Sequence, residues 1–124
     1  MPTYLLILRD DPKSWQRYSP EEMQKIFERY FEWGTRMRAA GRVVDGHKLK
    51  DEGGKTVRKD AKGMRVIDGP FAETKDVIGG YYLVRADSYA HVVELLKDHP
   101  HLELGHTIDA REIDPIGPDD EKDR

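Results

Sequence analysis

The stretch from Ser19 to Gly41 constrains this chain most, because it reads as one helix with both ends marked. Ser19 is a good N-cap, Pro20 suits the first helical position, and Glu22 completes a capping box three residues on. Met23, Ile26, Phe27, Tyr30, Trp33, Met37 and Ala40 then recur at spacings of three and four, with charged residues filling the gaps. Gly41 supplies the residue that turns left-handed where a helix ends. The spacing predicts a helix over 20–40 with Trp33 and Phe27 in the core. A helix with one apolar stripe needs a surface to cover, and the rest of the chain supplies strands.

Tyr4-Leu5-Leu6-Ile7-Leu8 reads as a strand buried on both faces, closed by Arg9-Asp10-Asp11-Pro12. A polar connection leads to the helix. A strand begins at Val43-Val44 and passes His47 and Leu49, and Asp51-Glu52-Gly53-Gly54 is a turn. Thr56–Lys59 and Met64–Ile67 flank Asp60-Ala61-Lys62-Gly63 as a short hairpin, stopped by Asp68-Gly69-Pro70. Ile78–Val84 forms a further strand. Asp87 or Ser88 caps a second helix whose stripe is Tyr89, Val92, Val93 and Leu96, with Pro100 ending it. The last strand runs over about 107–113, and 117–124 has nothing to bury and is expected to be a disordered charged tail.

The order β-α-β-(hairpin)-β-α-β predicts an α+β, ferredoxin-like βαββαβ domain over 1–116 with an inserted β-hairpin. Its own helices leave one sheet face open, and homodimerisation is the expected cover. With 124 residues there is room for one ordinary core. A net charge of −3, from 21 basic and 24 acidic residues, gives no pull toward nucleic acid. Cysteine is absent, which excludes disulfides, zinc–thiolate sites and a cysteine nucleophile. No signal-like or membrane-length apolar segment stands out, so a cytoplasmic address without membrane contact is expected. Walker, dinucleotide-binding and serine-hydrolase motifs are missing.

Asp68-Gly69-Pro70-Phe71-Ala72-Glu73-Thr74-Lys75, continued by Ile78-Gly79-Gly80-Tyr81-Tyr82, resembles the signature of the YCII-related, or DGPF-domain, family. The opening strand, the Ser19-Pro20-Glu21-Glu22 start and the ending His99-Pro100…Gly105…Arg111-Glu112-Ile113 are similar too, so the resemblance spans about 1–116. It implies a ferredoxin-like fold paired into a dimeric α/β barrel. For some members an enzymatic role has been inferred from a His-Asp pair in a cleft, and others occur near or fused to alternative sigma factors. It implies no metal and no cofactor.

Candidate site residues follow. Asp68 is an acid/base or polar anchor, with Glu73 and Lys75 reaching the same cleft, or else a turn residue accepting loop N–H groups. Gly79 and Gly80 let a ligand, or an aromatic ring from a partner, lie against the strand. Only one of Tyr81 and Tyr82 faces the core, and Tyr82 is taken as the ligand-facing one. Asp98 and His99 resemble the acidic helix end of the family's cleft. His99 or His101 is a candidate base, paired with Asp68 or with a residue of another strand, while the plain alternative has His99 complementing a helix C-terminus. His99, His101, His106, His47 and Asp109 are metal-ligand types, but His-x-His alone is a weak pattern. His91 reads as surface. Arg9 is an anion clamp, or a salt-bridge partner of Asp10 or Asp11. Two functions remain open: a small-molecule protein doing cofactor-independent acid/base chemistry, or a non-enzymatic ligand-binding or regulatory module linked to sigma-factor-type signalling.

Overall fold

A computed structural model describes residues 1–69 and 76–118. Strand β1 (Thr3–Asp10) lies at the centre of a four-stranded antiparallel sheet of order β2-β5-β1-β6, with β2 Val43–Lys48, β5 Val77–Arg85 and β6 Thr107–Glu112. This is the split βαβ strand order of the ferredoxin-like class. Helices α1 (Pro20–Ala39), α2 (Tyr89–Leu95) and α3 (Pro100–Glu103) complete the main body. Strands β3 (Lys55–Asp60) and β4 (Gly63–Asp68) form a separate two-stranded sheet between β2 and β5 in the chain. Among the described residues no helix is long and apolar enough to cross a membrane.

Helix α1 begins as its sequence dictates. Ser19 Oγ accepts from the Glu22 N–H at 3.1 Å, and Glu22 Oε1 accepts from the Ser19 N–H at 3.0 Å. Gly41, with φ of 75°, follows its end. The core joins α1 and α2 to one sheet face through Tyr4, Leu6, Trp33, Met37, Val43, Val84, Ala86, Val92 and Leu96. The Trp33 indole N–H donates to the Leu95 carbonyl at 3.2 Å, tying α1 to α2.

Three expectations change. Strand β1 is not buried on both faces: Tyr4, Leu6 and Leu8 are buried, while Leu5 and Ile7 are only half-buried. They share the open face with Leu83, which pairs opposite Leu5. Pro100 does not end the second helix; α2 stops at Leu95, and Pro100 is the first residue of α3 with His99 as N-cap. Phe27 is not core. It is half-buried and stacks with the exposed Phe31, centroids 6.4 Å apart.

Candidate functional site

A cavity of about 550 Å³ lies between α1 and the helix-facing side of β1, β2 and β5. Phe27, Tyr30, Phe31, Gly34, Thr35 and Arg38 come from α1; Leu8 and Asp10 from β1; Gly46, His47 and Lys48 from β2; Gly79, Gly80, Tyr81 and Tyr82 from β5. Trp15, carried by a 3₁₀ turn (Pro12–Arg17) within the polar connection, and His101 add to the wall. An aromatic-rich pocket with a few convergent polar groups is the usual form of a small-ligand site.

Gly34 explains part of this space. It sits inside a 20-residue helix, where glycine costs about 0.5–1 kcal/mol relative to alanine. A Cβ added there meets nothing within 4 Å, so the missing side chain is cavity. The strand glycines have different reasons. A Cβ on Gly79 would lie 2.5 Å from the Asp10 carboxylate, and one on Gly80 would lie 2.9 Å from the His47 carbonyl. Both line the cavity, but their nearest neighbours are Asp10 and the adjacent strand.

Against the cavity lies a knot of two histidines and two tyrosines, of which Tyr30, Tyr82 and His101 reach the wall. His99 is 0% and His101 2% exposed. His99 Nδ1 accepts the backbone N–H of His101 at 3.1 Å, which caps α3. That leaves the proton on Nε2, which donates to the Tyr82 hydroxyl at 3.1 Å. His101 Nε2 faces the Arg9 carbonyl at 2.8 Å. A carbonyl only accepts, so Nε2 carries the proton and Nδ1 accepts from the Tyr30 hydroxyl at 2.6 Å. Both tautomers are therefore fixed by the backbone.

Burial reinforces this neutrality. Desolvation, helped by its neighbour His101, lowers His99 to about 3, and desolvation lowers His101 to about 4 against a smaller opposing effect of the Arg9 carbonyl. Burial likewise pushes Tyr82 up to about 12, with Arg38 opposing, and holds Tyr30 well above the ordinary phenol range. Burial also raises the Asp10 carboxyl, while the Trp15 indole and His106 pull it down. Among the described residues Trp15 Nε1 and His106 Nε2 are both buried without a hydrogen bond of good geometry, and the His106 ring lies between Trp15 and His101 with centroids 4.8 Å from each.

The other sequence candidates lie elsewhere. Asp98 accepts from Arg36 at 2.6 Å on the exposed side of α1 and makes no hydrogen bond to His99. Asp68, 85% exposed, pairs with Lys55 at the end of the two-stranded sheet and does not line the cavity. Arg9 pairs with Asp109 at 2.6 Å, not with Asp10 or Asp11, and contributes its carbonyl to His101. His99 serves as an N-cap, not as a complement to a helix C-terminus. His91 is also engaged, accepting the Asp87 N–H at 3.0 Å. Glu73 and Lys75, like Phe71, lie outside the described residues, as does the tail beyond Pro118. Among the described residues no group of three or more metal-type side chains converges. Asp10, Trp15, Tyr30, Phe31, Gly34 and Arg38 were not singled out by sequence as site residues. The helix-interior glycine was the readable signal.

The strand order, the α1–sheet cavity and the matched span define a small α+β domain. Residues 2–116 match the family described as YCII-related domain, and the chain belongs to it. No curated protein matches the sequence. Among solved structures, 5-chloro-2-hydroxyhydroquinone dehydrochlorinase from Burkholderia phenoliruptrix, in complex with 2,5-dihydroxybenzoquinone, is similar in fold. Its TM-score is 0.56 at 16% identity, covering 90% of this chain and 93% of that one.

Proposed function

We propose that the protein binds a small molecule in the α1–sheet cavity and performs cofactor-independent acid/base chemistry there. The observation that carries this reading is the Asp10 carboxylate in the wall of a largely aromatic cavity, beside the Tyr30–His101 pair. A carboxylate raised by burial is a better base than a solvated one, because its pKa moves toward the working pH. Asp10 takes a proton from the substrate as the neutral acid forms, then returns it. Tyr30, held by His101, fixes the substrate oxygen during the transfer. The histidine that acts on Asp10 is then His106, His101 being taken up by Tyr30 and the Arg9 carbonyl, while His99 positions Tyr82 and Asp98 and Asp68 stay outside. The dehydrochlorinase of similar fold, which holds an oxygenated ring, supports a small cyclic ligand.

The same reading includes a homodimer through the open sheet face, where Leu5, Ile7 and Leu83 lie together half-buried. Sedimentation of Ile7→Glu as a monomer beside a dimeric wild type is expected. A monomeric wild type would remove this part.

The cavity is tested by a thermal-shift screen of a metabolite library on wild type, Asp10→Asn and Asp68→Asn. A ligand at a hundred times its Kd stabilises by about 2.7 kcal/mol. Hits lost in Asp10→Asn and kept in Asp68→Asn, followed by turnover that falls at acid pH as Asp10 protonates, are expected. The reverse pattern overturns the assignment. Affinity without turnover would leave a ligand-binding or regulatory module.

A further inference from the structure

The two tyrosines of the knot offer opposite hydrogen-bonding roles to the cavity. Tyr82 already accepts from His99 Nε2, so its own O–H proton is free to donate. Tyr30 spends its O–H proton on His101 Nδ1, so its oxygen is left to accept. Charge follows the same division. Arg38, at the C-terminal end of α1, acts on Tyr82 and has no ion-pair partner among the described residues. Asp10 acts on Tyr30. The cavity walls are aromatic, with Phe27 and Phe31 supplied by α1.

Resting on the cavity reading above, we infer that the site selects a single aromatic ring carrying both an anionic oxygen and a hydroxyl. The anion takes the Tyr82 O–H and the Arg38 guanidinium. The hydroxyl donates to Tyr30 Oη or the Asp10 carboxylate. A neutral ring lacks the charge for Arg38, and an acid without a hydroxyl leaves Tyr30 and Asp10 facing an apolar edge, which costs affinity.

The test is calorimetric titration with 4-hydroxybenzoate, benzoate, phenol and 4-methoxybenzoate against wild type, Tyr30→Phe, Tyr82→Phe, Arg38→Gln and the cavity-filling Gly34→Leu. Each variant is first checked for a cooperative melt. Wild type should hold 4-hydroxybenzoate at least about tenfold tighter than the other three. Tyr82→Phe and Arg38→Gln should weaken both hydroxy- and methoxybenzoate while leaving phenol unchanged. Tyr30→Phe should weaken 4-hydroxybenzoate and leave benzoate unchanged. Gly34→Leu should abolish all binding. Equal affinity for all four compounds, or equal losses in every tyrosine variant, overturns the inference while leaving the cavity as a site. No binding of the four while a library compound binds wild type and not Gly34→Leu also overturns it alone. No binding of anything overturns the cavity reading with it.

Discussion

Two regions of this chain carry groups suited to chemistry, and they are built in opposite ways. In the knot of His99, His101, Tyr30 and Tyr82 the histidines are buried and the tyrosines half-buried, and every ring nitrogen in its two histidines has a partner. The β3–β4 ribbon is exposed along nearly its whole length and is held by surface ion pairs, Lys55–Asp68 and Arg65–Asp60. It also exposes Val57, Met64 and Val66. A two-stranded sheet alone is marginal in water, whereas a satisfied buried network rigidifies what it holds. Asp68 therefore stands on the softer frame and the tyrosines on the stiffer one. A site that must hold a ligand oxygen in place belongs on the second.

The largest difference should appear on truncation. His101→Ala leaves Tyr30 and the Arg9 carbonyl without partners and opens a void, and a loss of about 2–4 kcal/mol is expected in denaturant unfolding. Asp68→Ala removes one exposed ion pair, worth at most about 1 kcal/mol. Comparable losses at the two positions would erase the distinction.

Acid should separate the regions next. The unfolded histidines have the ordinary value of about 6.5, while the folded ones lie near 3 and 4. The unfolded state binds the proton first, so the stability present above about pH 6.5 is lost as pH falls toward 4, by about 1.4 kcal/mol per pH unit for each histidine. His99→Asn keeps an N-cap acceptor and should flatten that slope. A melting temperature that holds from about pH 7 to about pH 4.5 would contradict the buried neutral pair.

A smaller effect of the opposite sign sharpens the cavity claim. Gly34→Ala should raise stability by about 0.5–1 kcal/mol without loss of ligand, since its Cβ enters open space. Destabilisation would mean that the space is filled.

The elements of the fold were legible because their signals are local. The capping box at Ser19 and Glu22, the stripe through Trp33 and the hairpin-like turn at Asp60–Gly63 each depend on neighbours in sequence. The site was legible only in part. His99, His101 and Tyr82 stood out by chemistry, but their pairing depends on α3, which a single proline disguised as the end of α2. Asp10 looked like the polar close of a strand, and it becomes a cavity group only because Gly79 on β5 leaves room for its carboxylate. Asp68 was conspicuous through the motif around it, and although its hairpin was read as an insertion, nothing local showed that the hairpin's end would lie away from the cavity. The open face was disguised as well: Leu5 and Ile7 made β1 look buried on both sides when the helices cover one.

The most direct test of the account is nitrogen-15 NMR of the histidine rings. The knot requires Nε2 protonated and Nδ1 bare in both His99 and His101, unchanged from about pH 8 to about pH 5, because both tautomers are set by backbone groups. A protonated Nδ1 in either ring, or an imidazolium forming near pH 6.5, would contradict the tautomers and the opposite roles assigned to Tyr30 and Tyr82.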